Sequence, residues 1–158
     1  MASAGVIASF YEAFARGDAA GMAACYHPAA TFEDPAFGPL DHAAACAMWA
    51  MLLARSSDLV VTHQVLAESA TEATARWEAR YTFTRTGRPV VNRIQATFLL
   101  ADGLIRAHRD HFSFWAWSRQ AFGVPGLLLG WTAWFQNRVR AEALRALKSH
   151  QAKASLAP

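Results

Sequence analysis

Apolar side chains recur at helical spacing through the first third of the chain. Val6, Phe10 and Phe14 fall on one stripe, and Gly17 follows where a glycine often ends a helix. Asp18 is then placed to cap a second helix. The pattern predicts helices over 3–16, 19–26 and 41–55, with a short extended segment over 29–34.

From Asp58 onward the apolar period changes from helical to two, which indicates strands. The predicted strands cover 58–68, 73–85, 90–100 and 103–117. After Trp117 a short helical stretch reaches Phe122, and Pro125 can open a final helix. We expect the apolar stripe of that helix to pack on its own domain or on a second copy, and the alternatives are a membrane-surface helix and a lid over the pocket mouth. The members of the stripe are Leu128, Trp131, Phe135, Val139, Ala143 and Leu147.

This order of elements indicates an α+β fold, in which helices are segregated onto one face of a bent antiparallel sheet. We predict one domain over 1–117, followed by a C-terminal helical extension of the same domain over 118–158. The chain has 158 residues and is 54% hydrophobic with ten Phe and six Trp. That composition suits a core, an apolar cavity or an oligomer interface.

The formal charge of +3 resides mainly in the C-terminal segment, where Glu142 is the only acid after Asp110. No nucleic-acid-binding motif accompanies it, so nucleic acid is not an expected partner, and membrane contact is not expected either. Residues 127–135 are too short to span a bilayer. Cys25 and Cys46 lack metal or redox spacing, and the N-terminus lacks a signal-peptide pattern. We therefore expect a cytoplasmic protein.

His108 and Asp110 are two apart on the last predicted strand, so their side chains share a face with apolar neighbours. Such a pair can exchange or share a proton; a strand ion pair with Arg93 or Arg106 is the alternative. Asn92 is the one polar residue on the inner side of its strand and is either a structural hydrogen bonder or a ligand contact.

Asp34 precedes Pro35, which keeps it extended, and Phe32 and Phe37 make its surroundings apolar. Desolvation raises the pKa of a carboxyl and makes it a better base near neutral pH. The alternative is that Asp34 accepts backbone hydrogen bonds in a turn. His63 could converge with His108 and Asp110, but no metal-ligand spacing is present, so neither a metal nor a cofactor is predicted.

Several short motifs occur in a characteristic order: Gly17-Asp18, Tyr26-His27-Pro28, Phe32-Glu33-Asp34-Pro35, Asp102-Gly103-Leu104-Ile105 and His108-Arg109-Asp110. In these motifs the chain resembles the nuclear transport factor 2-like superfamily, which includes the SnoaL-like polyketide cyclases and the ketosteroid isomerases. The resemblance covers roughly residues 4–114. It implies a cone-shaped half-barrel with a deep apolar cavity, often dimerised through the sheet.

The resemblance also implies roles for single residues. Asp34 falls where ketosteroid isomerases carry their proton-transferring aspartate, and Asp110 falls where SnoaL-like cyclases place an acid/base aspartate. The oxyanion-binding positions of the isomerases correspond to Phe10 and Ala96, which cannot donate a hydrogen bond, and Tyr11 is one residue out of register. Steroid isomerisation of that type is therefore not expected.

We accordingly expect a cofactor-independent acid/base enzyme of isomerase, cyclase or hydrolase type, acting on a small hydrophobic carbonyl compound. Asp34 or Asp110 would be the base, and His108 the proton partner or orienter. The predicted substrate contacts are Asn92, Tyr81, Trp77, His63, Phe98 and Tyr11. The alternative is a non-catalytic ligand-binding or dimerisation module of the same fold. A homodimer is the expected assembly.

Overall fold

The computed structural model describes residues 4–158, so the predicted helix start at Ser3 lies outside the described residues. The helices are α1 (Val6–Ala15), α2 (Ala19–Ala24), α3 (His42–Arg55), α4 (Phe114–Phe122), α5 (Val124–Leu129) and α6 (Ala133–Leu156). The strands are β1 (Tyr26–Asp34), β2 (Gly38–Asp41), β3 (Val60–Glu68), β4 (Glu72–Phe83), β5 (Arg88–Ala101) and β6 (Leu104–His111). None of the helices in this part of the chain is long and apolar enough to cross a bilayer.

The six strands form one sheet in the order β2-β1-β6-β5-β4-β3. Every neighbouring pair is antiparallel except β1 and β6, which run parallel with Phe32 opposite His108. Phe98 on β5 also lies opposite His108, and Ala96 lies opposite Asp110. The α+β fold with a bent sheet, helices and a C-terminal helix is confirmed.

The core lies between the sheet and the first three helices. Phe10 and Phe14 of α1 pack with Trp49 of α3 in edge-to-face contacts. The inward residues of β4 and β5 alternate with exposed polar ones as the period-two pattern predicts, so Ala75 and Ile94 are buried. Asp18 and Asp41 cap α2 and α3 through their carboxylates, as predicted.

The second helix ends earlier than predicted. It stops at Ala24, and Tyr26 begins β1, so the His27-Pro28 pair lies within a strand. The ring of Tyr26 is buried in the core, and its hydroxyl is hydrogen-bonded there, which ties this residue to the sheet. Strand β2 was not predicted, because four residues between turns carry too little pattern.

The last strand is shorter than predicted and ends at His111. Ser113 then caps α4 by accepting a hydrogen bond from the Ala116 amide at 3.1 Å, so Phe114 and Trp117 belong to a helix. The predicted domain boundary at residue 117 falls inside this helix. The alternation of aromatic residues is compatible with either a strand or a helix. The cap formed by Ser113 makes this segment a helix.

The predicted final helix is two helices. Thr132 caps α6 through its hydroxyl, after a break that follows α5. Leu128 and Trp131 are exposed and do not pack on the domain, which corrects the expected single stripe. Val139 and Ala143 of α6 do pack inward, and Leu147 reaches the main core.

Candidate functional site

A cavity of about 410 Å³ lies between the inner face of the sheet and helices α3 and α6. Its wall is mainly apolar, with Met48, Leu52 and Ile94 among its residues and Trp117 and Phe122 contributed by α4. This volume suits a small organic molecule. The final helix supplies Val139, Ala143 and Ala146 to the wall, so the C-terminal extension is part of the site.

Five of the predicted site residues line this cavity: Asp34, Asp110, Asn92, Tyr81 and Trp77. The other four, His108, His63, Phe98 and Tyr11, do not line it. His63 instead stacks on the ring of Tyr11 with 5.2 Å between ring centres. Phe98 lies 4.4 Å from the ring centre of His108 inside the core. The structure thus places three predicted substrate contacts, His63, Phe98 and Tyr11, and the predicted proton partner His108 away from the cavity wall.

Asp34 stands at the end of β1, where the chain turns toward β2. Its Oδ1 accepts hydrogen bonds from the amides of Ala36 at 2.9 Å and Phe37 at 2.6 Å. Both bonds go to one oxygen, which leaves Oδ2 without a donor among residues 4–158. Asp34 therefore accepts backbone hydrogen bonds in a turn and also lines the cavity.

Burial raises the pKa of Asp34 to about 7 from its ordinary value of 3.8, and the negative charge of Asp110 adds to that rise. The two amide hydrogen bonds and the positive charge of Arg140 act in the opposite direction. Arg140 lies on α6 and donates a hydrogen bond to the carbonyl of Pro35 at 3.2 Å. Desolvation is the largest effect, so the pKa of Asp34 lies close to neutral pH.

Asp110 belongs to a buried hydrogen-bond chain that crosses the core. Its Oδ1 lies 2.9 Å from Nε2 of His108 and accepts a hydrogen bond from Nε1 of Trp77 at 3.3 Å. Nδ1 of His108 lies 2.8 Å from the hydroxyl of Tyr26, which in turn accepts a hydrogen bond from Nε1 of Trp49 at 2.9 Å. The five side chains come from β1, α3, β4 and β6.

The donors and acceptors of this hydrogen-bond network fit one assignment of protons. Burial holds the pKa of Tyr26 well above its ordinary value, so its hydroxyl is protonated and can donate to Nδ1 of His108. Nε2 then carries the imidazole proton and donates to the Asp110 carboxylate. His108 is 2% exposed and enclosed by Phe10, Phe32 and Phe98, so it orients Asp110 rather than contacting a ligand.

Polar groups elsewhere on the cavity wall remain open to a ligand. The Tyr81 hydroxyl accepts a hydrogen bond from Nε1 of Trp117 at 2.8 Å, which leaves its own proton to donate. Within residues 4–158 the side-chain amide of Asn92 makes no hydrogen bond, and the buried Ser56 hydroxyl also lacks a partner. Burial raises the pKa of Tyr81, so it remains a donor across the neutral range.

Sequence reasoning missed Ser56, Trp117 and Arg140, and it missed the hydrogen bonds of Tyr26 and Trp49. The Tyr26-His27-Pro28 motif was a usable signal for Tyr26, but the other residues carry no local pattern. No cluster of three metal-ligating side chains is present in the described part of the chain.

A sequence profile described as the SnoaL-like domain matches residues 7–108, which is more than half of the chain. The protein therefore belongs to the SnoaL-like family. The extension that forms α4, α5 and α6 lies beyond the matched region. No curated protein sequence matches this chain.

Solved structures share the fold at low sequence identity. IdmH from Streptomyces antibioticus, a provisionally assigned polyketide cyclase, is 24% identical, with a TM-score of 0.62 over 73% of this chain and 94% of its own. A provisionally assigned polyketide cyclase from Silicibacter sp. TM1040 is 22% identical, with a TM-score of 0.62 over 73% of this chain and 91% of its own.

A protein of ketosteroid isomerase-like fold from Catenulispora acidiphila, in complex with trimethylamine, is 15% identical, with a TM-score of 0.66 over 80% of this chain and 96% of its own. These likenesses establish the nuclear transport factor 2-like fold.

Proposed function

We propose that this protein is a cofactor-independent acid/base enzyme that binds a small hydrophobic carbonyl compound in the cavity. It removes a proton from the carbon next to the carbonyl and so promotes isomerisation or ring closure. The observation that carries this proposal is the position of Asp34, whose pKa is about 7, on the wall of an apolar cavity. The provisional polyketide cyclases among the structural neighbours support the same substrate class.

Asp34 is the proposed base. A base whose pKa lies near the working pH is partly ionised and still binds the proton that it removes. Its Oδ1 is anchored by two backbone amides, which fixes the carboxyl plane, and Oδ2 is then the oxygen that meets the substrate. The proton returns from Asp34 to another carbon or to the oxygen, so no cofactor is needed.

Removal of the proton places negative charge on the carbonyl oxygen, which requires a hydrogen-bond donor. Tyr81 and Asn92 supply an unused hydroxyl proton and an unused amide on the cavity wall. They take the part that Phe10 and Ala96 cannot play, since those residues are buried and apolar. Ser56 offers a second hydroxyl on the cavity wall.

Asp110 and His108 have supporting parts in this proposal. Asp110 is held by His108 and Trp77 through one oxygen, and its negative charge favours the protonated form of Asp34. His108 acts through Asp110 and is a positioning residue.

The test compares Asp34→Asn and Asp110→Asn with wild type on a panel of ketones, epoxides and polyketide-like esters. Asp102→Asn is the matched control, because Asp102 is exposed in a turn and asparagine tolerates its positive φ. We expect Asp34→Asn to abolish turnover and the control to retain it. Equal turnover by Asp34→Asn and wild type would remove Asp34 as the base.

The second candidate function is a non-catalytic binding module. The predominance of apolar side chains on the wall favours it, because such a cavity can hold a lipid-like molecule without chemistry. Native mass spectrometry of the purified protein distinguishes the two. A ligand that co-purifies with the protein and that the wild-type protein leaves unchanged would support the binding module. The homodimer and the cytoplasmic location also remain predictions, and sedimentation velocity tests the first.

A further inference from the structure

Helices α4, α5 and the start of α6 form an exposed apolar surface. We define this apolar knuckle as Trp115, Val124, Leu127, Leu128, Trp131 and Trp134. Trp131 is 69% exposed, Val124 66%, Leu128 62% and Trp134 61%. Large apolar side chains grouped at this exposure mark an interaction surface. They lie outside the region matched by the SnoaL-like family and outside the cavity wall.

The knuckle is held in place by the close approach of α5 to α4. Gly126 and Gly130 are both buried against Ser118, and a Cβ on either would overlap atoms of that serine. The Ser118 hydroxyl lies 3.1 Å from the carbonyl oxygen of Trp115 and 3.3 Å from that of Gly126, and its one proton can be donated to either. Because glycines occupy the packed side of α5, its valine and leucines face solvent. The exposure is therefore built into the local packing.

The charge around the knuckle is positive. Residues 111–141 contain no Asp or Glu. The guanidinium of Arg119 lies 4.9 Å from the ring centre of Trp115, and that of Arg138 lies 5.6 Å from the ring centre of Trp134. Arg88 from β5 donates to the carbonyl of Gln120 at 2.8 Å and adds a third cation at this end of the molecule.

We propose that the apolar knuckle docks on an anionic lipid bilayer. Tryptophan is favoured at the membrane interface, leucine and valine insert at the acyl boundary, and arginine is attracted to anionic headgroups. The knuckle presents all three chemistries together on a preorganised turn. A second copy fits less well, because a twofold contact would bring Arg119 and Arg138 against the same cations with no acid from residues 111–141 between them.

Docking through the knuckle would also bring the cavity wall close to the bilayer. Trp115 on the knuckle and Trp117 on the cavity wall belong to the same helix, and Phe122 at the end of that helix lines the cavity. Hydrophobic compounds concentrate in the bilayer, so this arrangement suits a protein that takes up an apolar ligand. The docking itself does not depend on any catalytic activity.

The test is co-sedimentation of the full chain with vesicles of phosphatidylcholine alone and of phosphatidylcholine mixed with phosphatidylglycerol. We expect binding to the mixed vesicles that weakens as salt is raised. Leu128→Asp with Trp131→Asp should lower the partition coefficient at least about tenfold. Arg119→Gln and Arg138→Gln should each lower it about fivefold. Leu99→Asp is the control, since Leu99 is also an exposed leucine, at 53%, but lies on β5.

Circular dichroism establishes that each variant is folded, which we expect because the changed side chains are exposed. Equal binding of wild type and the Leu128/Trp131 variant would overturn the proposal, as would absence of binding to the mixed vesicles. Sedimentation velocity tests the other possible occupant of the knuckle, a second copy of this chain. If the Leu128/Trp131 change converts a dimer to a monomer and wild type does not bind vesicles, the knuckle is an interface between copies.

Discussion

The hydroxyl of Tyr26 lies 2.8 Å from Nδ1 of His108, although 82 positions separate the two residues in the chain. This contact fixes which imidazole nitrogen carries the proton and joins β1 to β6 through their side chains as well as their backbones. Through His108 it also sets the orientation of Asp110 at the cavity wall. A residue that never touches the cavity thereby shapes its chemistry.

Tyr26→Phe should lower the free energy of unfolding by about 1–3 kcal/mol, because it leaves Nδ1 of His108 and Nε1 of Trp49 buried without a partner. Urea unfolding measures this. Tyr11→Phe is the matched control, since Tyr11 is equally buried but its hydroxyl has no partner among residues 4–158. We expect the control to be neutral or stabilising. Equal losses in the two variants would contradict the assigned network.

Asp34 should make the protein less stable as pH rises from about 4 to about 7. In this window the folded state retains the proton on Asp34 that the unfolded chain has released, because the pKa is about 7 in the fold and 3.8 ordinarily. The full effect is at most about 4 kcal/mol, and water reaching the half-buried carboxyl reduces it.

Asp34→Asn should remove this pH dependence. The amide oxygen of asparagine can still accept the hydrogen bonds from Ala36 and Phe37. We expect the variant to exceed wild type in stability at pH 8 and to approach it at pH 4, as measured by urea unfolding at each pH. Parallel curves for the two proteins would refute the raised pKa.

On any substrate that is turned over, kcat/KM should rise with pH and level off above about 7, because the base must be ionised. Asp110→Asn should move the midpoint to lower pH, since it removes a negative charge that favours protonated Asp34. Arg140→Gln should move it to higher pH by removing a positive charge. Shifts in the same direction would contradict this electrostatic account.

Tyr81→Phe should lower kcat about 10²- to 10³-fold with a smaller change in KM, if its hydroxyl stabilises the enolate oxygen in the transition state. Steady-state kinetics separates the two constants. Thr84→Val at the cavity rim is the control, because its side chain makes no hydrogen bond within residues 4–158. An unchanged kcat for Tyr81→Phe would assign the stabilising role to Asn92 or Ser56.

Gly126→Ala should destabilise the protein by about 1–3 kcal/mol, because the added methyl group would overlap the backbone carbonyl of Ser118. The backbone of Gly126 is not in the left-handed region, so the cost comes from the close approach of α5 to α4. Leu128→Ala on the exposed side of α5 should change stability by less than about 0.5 kcal/mol. Thermal unfolding of both variants measures the difference.

The parts of this fold that follow from local periodicity could be predicted from the sequence. The alternation along β4 predicts Trp77 and Tyr81 on the inner face of the sheet. The alternation along β5 predicts the same face for Asn92, and all three residues line the cavity. Asp34 and Asp110 were found through short motifs that resemble a known family, and both line the cavity.

The remaining features depend on contacts between distant segments, which periodicity does not encode. The helical pattern extends to Tyr26, whereas in the structure Tyr26 begins β1 and its hydroxyl is hydrogen-bonded to His108, 82 positions away. Ser113 turned an apparent strand into a helix by capping it. Gly126 and Gly130 let α5 approach α4 closely, a role that depends on the position of Ser118 and is not visible in the local pattern.

The parallel pairing of β1 with β6 has a consequence for synthesis of the chain on the ribosome. Strand β1 ends at Asp34, yet its partner β6 ends at His111, so the two edges cannot meet until most of the domain has emerged. Until then β2 can pair with one edge of β1, where Leu40 lies opposite Phe32, but the edge that faces β6 has no partner strand and stays exposed. This protein must therefore complete its sheet late.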